Sequence, residues 1–284
     1  GVTTALELEI GVADVDRWYA EREGRAAINF GASIGHVPTR MVVLRDPQDP
    51  ARFVPTGDAA HRAATDEEIT DIKRRLERGL QRGALAVGFG IQYTPAASAW
   101  EILEMFRVAA RFGAAGHVHM RHMGAASIEG LQELIAASAL TGAGVHLVHV
   151  TSSGLRETPK LLQMIAEART RGLDVSTECY PYTAAMTEIE SAIFDDGWQK
   201  VLGIGYPELQ WVATGERLTA ETFARYRKAG GMVIMHMIPE PVAQLAVSDP
   251  SVLIASDGYL ENGKGHPRGA GTFARVLGLY TREK

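Results

Sequence analysis

Between residues 98 and 180 the chain repeats one unit: a helical pattern, a small-residue break, then a short apolar strand. The helical pattern over 98–112 leads to "GHVHM" (116–120). The pattern over 127–140 leads to "VHLVHV" (145–150), and that over 157–171 leads to "LDVSTECY" (173–180). These strands are near-continuous apolar runs rather than clean alternations, which suits a parallel sheet covered on both faces by its own crossover helices. The rhythm extends in both directions. "VTTALELE" (2–9), "AAINFGAS" (26–33) and "ALAVGFG" (84–90) read as earlier strands, and "MVIMHMI" (232–238) and "VLIASDG" (252–258) as later ones. Helical patterns over 14–23, 65–83 and 219–229 separate them; Thr65 and Glu68 have capping-box spacing, and Gly83 stops the second. Seven or eight such units predict an α/β fold of the (β/α)8 TIM-like barrel kind rather than a doubly wound sheet.

The 284 residues fall within the range of one barrel domain, so a single domain over 1–284 is expected, with loop insertions at 34–62 and 183–218. A net charge of -5 argues against nucleic acid or an anionic membrane as partner. The one cysteine, Cys179, cannot form an intrachain disulfide, which makes a reducing, cytoplasmic compartment the expectation. No helix N-terminus or basic neighbour activates it in sequence, so it reads as an inert buried thiol. No run is long and apolar enough to span a bilayer, and no signal-peptide pattern opens the chain. The opening "GVTTALELEI" has no Met and reads as if it began inside a fold, at a second element.

In a barrel of this type the chemistry sits at the C-terminal ends of strands. Four polar groups meet that condition: Glu9, with Glu7 one alternation earlier; His119, with His117 on the same face; His149; and Asp257. A carboxylate, two histidines on consecutive strands and a final aspartate suit a divalent-metal site, with zinc favoured by the imidazole and carboxylate donors. Each residue also has an ordinary reading. A lone strand-end histidine is usually a hydrogen-bonded core residue, which is how His117 and His146 are assigned. Glu7 and Glu9 suit ion pairs inside a barrel, and "SDG" is a common turn. Only the combination lifts the metal reading. "GFGIQYTPAAS" (88–98) lacks the spacing of a dinucleotide fingerprint and reads as a pocket loop with Tyr93 facing inward.

Taken together, "GVTTALELEIG", "GALAVGFGIQYTPA", "VHMR", "LVHVTSSG", "ECYPYTA", "IASDG" and "GHPRGAGTFARVLGLY" resemble the amidohydrolase superfamily, in particular its N-acyl-D-amino-acid deacylases and D-glutamate deacylases. The resemblance runs nearly end to end. It implies a metal-dependent hydrolase acting on a linear amide, with one or two divalent ions in the complete enzyme. It also implies His119 and His149 as ligands on barrel strands five and six, and Asp257 on strand eight as ligand and proton carrier. The bridging cysteine of the family is replaced in "LELEIG", where Glu9, or less favourably Glu7, offers a carboxylate. Tyr93, Arg121, Tyr182 and Arg268 are expected substrate contacts, a guanidinium being suited to a substrate carboxylate.

The family opens with a His-x-His strand before "GVTT" and continues past residue 284. The resemblance therefore implies a barrel lacking its first strand, with "MVIMHMI" added between strands seven and eight, and with impaired activity. An uncovered sheet edge would then invite pairing with a second copy. A small molecule is the expected partner. Two other readings stand beside this one. One is a cyclic-amide hydrolase of the dihydroorotase or hydantoinase kind, disfavoured because strand four offers no lysine to be carboxylated. The other is a non-catalytic barrel scaffold that has lost its metal.

Overall fold

A computed structural model describes residues 1–47 and 52–283. Among these, ten strands form two sheets. β1 (Thr4–Val12), β2 (Asn29–Gly35), β3 (Val87–Gly90), β4 (Gly116–His119), β5 (Val145–Leu147), β6 (Val175–Cys179) and β10 (Val252–Ile254) make one sheet in the order β1-β2-β3-β4-β5-β6-β10. The order follows the sequence with no reversal, so there is no switch point of the doubly wound kind, and the register pairs recorded within it are parallel. This is the sheet of a partial TIM-like barrel, as the repeating unit predicts.

Two compact units divide the chain. One comprises Gly1–Arg121, Gln132–His146 and Ala168–Val175; the other comprises His122–Leu131, Leu147–Glu167 and the chain from Ser176 onward. In the first, the helix Asp66–Gln81 starts at the predicted capping box: Thr65 accepts from the Glu68 amide, and Glu68 accepts from the Thr65 amide. Its buried stripe of Ile69, Ile72, Leu76 and Gly79 recurs at helical spacing. Gly79 is there because the helix lies against β2: a Cβ at this position would come within 2.6 Å of Ile34 Cγ1. Alanine in a helix interior ordinarily gains about 1 kcal/mol over glycine. Gly79→Ala is instead expected to lose about 1–3 kcal/mol by overpacking, read as a lowered denaturation midpoint; a neutral or stabilising result would contradict the close approach. The helix Ala99–Arg111 is capped by Ser98, whose hydroxyl accepts from the Glu101 amide, and its Phe106 stacks on Phe89 of β3 at 5.0 Å.

The 34–62 stretch, expected as a loop, carries helices His36–Val43 and Asp58–His61; residues 48–51 lie outside the described residues. Around it is a buried polar cluster. Arg40 Nη1 donates to both Glu101 oxygens at 2.5 Å, His36 Nε2 lies 2.8 Å from Glu101 Oε1, and Arg40 Nε donates to the Ala59 carbonyl at 2.8 Å. The third guanidinium nitrogen of Arg40, Nη2, donates to the Arg62 carbonyl. Burial alone would raise the Glu101 carboxyl, but the hydrogen bond from His36 and the charges of His36 and Arg40 hold it below the usual range.

In the second unit the structure corrects the reading of "MVIMHMI". β9 (Met232–Met235) does not join the barrel sheet. It lies antiparallel between β7 (Ala185–Glu188) and β8 (Leu209–Trp211) in a separate three-stranded sheet. The strand is apolar because both its faces are covered, which parallel and antiparallel strands share, so its hydrophobicity did not reveal its partners. The 183–218 stretch, expected as a loop insertion, supplies the two flanking strands and the short helix Trp198–Leu202. Phe194, Trp198, Tyr206 and Phe223 pack around it, with ring centroids 5.3–5.8 Å apart. Cys179 is fully buried, and burial pushes its thiol up to about 12, in keeping with an inert core residue.

Candidate functional site

In the first unit, Glu9 and His119 meet. The regular β1–β2 register breaks between Glu7 and Val12, and Gly11 at φ +69° completes the irregularity. A bulge of this kind re-aims side chains. Glu7 turns its carboxylate back to accept from the Gly11 amide at 3.3 Å, while Glu9 Oε1 reaches His119 Nδ1 at 3.0 Å. Of the two glutamates, Glu9 is the one that reaches His119. His119 ends β4, opposite Gly90 of β3. Gln92 lies two residues beyond Gly90, in the turn Ile91–Tyr93, and its Oε1 is 2.8 Å from His119 Nε2. The Tyr93 ring is buried, its centroid 5.0 Å from that of His119. His117 sits half-buried with its ring 4.8 Å from that of His146; burial first, then the charge of His146, pushes it down to about 4.

Arg121 is held elsewhere. Its Nε and Nη2 donate to the two oxygens of Glu133 at 2.9 and 2.7 Å, and its Nη1 donates to the Ala97 carbonyl at 2.7 Å. That fork ties the loop after Tyr93 to the helix Ser127–Thr141, a bidentate use of the guanidinium.

In the second unit, β5 stops at Leu147, earlier than the apolar run suggests. His149 takes a left-handed conformation at φ +35°, and residues Val150–Gly154 then form a helical turn. Histidine rarely adopts this conformation, and such positions mark sites where surroundings over-determine the backbone. The Ser152 hydroxyl donates to the His149 carbonyl at 3.0 Å, so its oxygen is available to accept from His149 Nδ1–H at 2.9 Å; Ser153 Oγ lies 3.2 Å from the same nitrogen. With the proton on Nδ1, Nε2 keeps the lone pair, the arrangement a metal-ligating imidazole needs. Asp257 also has positive φ, +46°, just beyond β10. Its Oδ2 is 2.7 Å from Arg268 Nη1. Arg268 is buried, lies 4.5 Å over the Tyr180 ring, and donates through Nη2 to the Met186 carbonyl at 3.3 Å. Tyr182 stands edge-on to His266 at 5.1 Å, with its hydroxyl 3.5 Å from the Pro267 carbonyl.

Among the described residues, the first unit offers the Glu9 carboxylate and the His119 imidazole as candidate ligands, and the second offers the His149 imidazole. The donor set is one carboxylate and two imidazoles, with the two histidines buried and the carboxylate half-buried, which fits zinc or a similar divalent ion. Sequence reasoning named all three. It missed Gln92, Ser152 and Ser153. The two serines follow His149 by three and four positions, a helical return spacing, but only once the strand is known to end early; Gln92 needs the β3–β4 register.

No family model matches the chain. A D-aminoacylase of Alcaligenes xylosoxydans xylosoxydans is 29% identical over 285 residues, covering 93% of this chain and 54% of its own length. An N-acyl-D-glutamate deacylase from the same organism is 29% identical over 284 residues, covering 95% and 55%. In structure, a D-aminoacylase described as defining a novel subset of amidohydrolases superposes with a TM-score of 0.80 at 25% identity, over 100% of this chain and 65% of that one. Over most of its length this chain is similar in sequence and in fold to D-aminoacylases. It spans about half the length of the curated relatives it matches. The N-acyl-D-glutamate deacylase of Bordetella bronchiseptica, solved with zinc and a phosphonate inhibitor, shares the fold of this chain with a TM-score of 0.78 at 24% identity.

Proposed function

We propose that this chain is the barrel core of a metal-dependent hydrolase acting on the amide bond of N-acyl-D-amino acids. The observation that carries the reading is the pairing of Glu9 with His119 at 3.0 Å, beside a second buried strand-end imidazole in the sequence at His149, in a chain similar to three deacylases of N-acyl-D-amino acids, including one of N-acyl-D-aspartate. Glu9, His119 and His149 would hold zinc, and a bound divalent ion supplies Lewis acidity and a water of lowered pKa. Asp257 takes up a proton from the attacking water and delivers it to the leaving nitrogen, its carboxylate oriented by Arg268 at 2.7 Å. Tyr93, Tyr182 and Arg268 contact the substrate, the guanidinium being the group suited to its carboxylate. Arg121 anchors the loop behind Tyr93 through Glu133.

The test measures zinc content after loading and dialysis, and amine release from N-acetyl-D-glutamate, N-acetyl-D-aspartate and neutral N-acetyl-D-amino acids. About one retained zinc per chain is expected, falling on His149→Ala, together with turnover of a D-substrate over its L-enantiomer. Absence of zinc retention, or equal retention by His149→Ala, would sink the metal reading.

A further inference from the structure

We propose that the helix Arg268–Arg275 sets the position of the Tyr182 hydroxyl, with Gly271 making room for it and Arg275 holding the ring. This rests on the reading of Tyr182 as a substrate contact and adds the residues that place it. Residues 268, 271 and 275 recur at helical spacing and share one stripe of the helix. That stripe meets "YPY" (180–182), the turn that follows β6. Arg268 lies 4.5 Å over the Tyr180 ring, and Arg275 lies 4.9 Å over the Tyr182 ring. A guanidinium over an aromatic face is attractive, so each pair orients both its members. Arg275 adds a fixed point: its Nε donates to the Pro181 carbonyl at 2.7 Å. The Tyr182 amide donates to the Tyr180 carbonyl at 2.9 Å, which closes a tight turn about Pro181.

Gly271 stands between the two arginines. A Cβ at this position would lie 2.7 Å from the Tyr182 hydroxyl oxygen, closer than an ordinary van der Waals contact. The hydroxyl therefore sits against bare backbone, where only glycine leaves the space. Its contact with the Pro267 carbonyl is 3.5 Å, well beyond the usual O–H···O distance, so the hydroxyl keeps bonding capacity for a substrate oxygen. The His266 ring stands perpendicular to that of Tyr182 at 5.1 Å. Arg275, His266 and Gly271 thus bound the side chain at its face, beside its ring and at its tip, which selects one rotamer. Gly271 and Arg275 act through Tyr182, and they are positioning residues.

Gly271→Ala in the full chain separates position from stability. Alanine is the better helix former, and the atom it displaces is the far end of a half-buried side chain, so the hydroxyl gives way rather than the helix. The urea midpoint is expected to stay level or rise. KM for N-acetyl-D-amino acids is expected to rise about 3–10-fold, the worth of one hydrogen bond, with kcat little changed. Arg275→Met is expected to raise KM in the same direction, and Arg275→Lys, which keeps a cation, to recover part of the loss. In Tyr182→Phe the hydroxyl is absent, so adding Gly271→Ala is expected to cost nothing further. A wild-type KM in Gly271→Ala overturns the proposal, as does a loss that adds in full to that of Tyr182→Phe. A second readout needs no turnover: with carbon-13-labelled tyrosine, the Tyr182 ring signal, assigned by comparison with Tyr182→Phe, is expected to shift in Gly271→Ala and in Arg275→Met. If the wild type turns over no D-substrate, the deacylase reading fails and the ring signal alone decides; a signal unchanged in both variants overturns positioning by the helix.

Discussion

Replacing Arg40 with methionine is expected to lower the unfolding free energy by about 3–5 kcal/mol, the range for breaking a buried ion pair from one side. The reason is what remains. Glu101, Arg40 and His36 have fully buried side chains, and the carboxylate depends on the guanidinium for contacts to both its oxygens. Methionine fills much of the volume but leaves the carboxylate with His36 alone. It also removes the donors that hold the Ala59 and Arg62 carbonyls, so the helix Asp58–His61 loses part of its attachment and relies on Asp46, which accepts from the Gly57 and Ala59 amides. The double variant Arg40→Met with Glu101→Leu removes both charges and is expected to recover a large part of the loss, because replacing a buried pair with apolar groups is often close to neutral. Urea unfolding of the three proteins measures this. A single-variant loss below about 1 kcal/mol, the range of exposed pairs, would show that the cluster does not bear on stability.

Acidification is expected to destabilise the second unit through His266. This imidazole is 5% exposed, accepts from the Arg268 amide at Nδ1, and is pushed down to about 3 by burial, then by the charges of Arg268 and His236. The sign follows from proton counting. Between the ordinary value near 6.5 and the folded value near 3, the unfolded chain binds a proton that the folded chain does not. Stability is therefore fully present above about pH 6.5 and falls as pH falls through that window, by about 3 kcal/mol at pH 4. His117, pushed down to about 4, acts in the same direction. His266→Gln keeps a polar side chain without the titration. It is expected to flatten the pH dependence of the urea midpoint between about pH 6.5 and pH 4 relative to wild type. Parallel pH profiles for the two proteins would exclude the histidine as the source.

The barrel was legible because its signal is local. Each helix announces its own cap and stripe, as Thr65, Glu68, Ile69, Ile72 and Leu76 do, and each parallel strand announces its two-sided burial by an unbroken apolar run. His119, His149 and Glu9 were legible because they interrupt such runs. What was not legible depends on pairing. "MVIMHMI" has the composition of a barrel strand, yet its partners are the short segments Ala185–Glu188 and Leu209–Trp211, too brief to stand out before the register is known. The early end of β5 was hidden in the same way: "VHLVHV" is apolar throughout, and only the left-handed φ of His149 shows where the strand stops. Arg121 could be placed near the pocket by position, but that Glu133 occupies its fork is a long-range fact.

The contact between Glu9 and His119 joins residues 110 positions apart. At roughly 5–20 residues per second of synthesis, that separation is about 5–20 s of ribosome time. Throughout that interval the carboxylate exists and the imidazole does not. The Glu9–His119 pair is thus assembled only after β2 and β3 have been made, so a nascent protein arrested before His119 would hold the carboxylate without its imidazole partner.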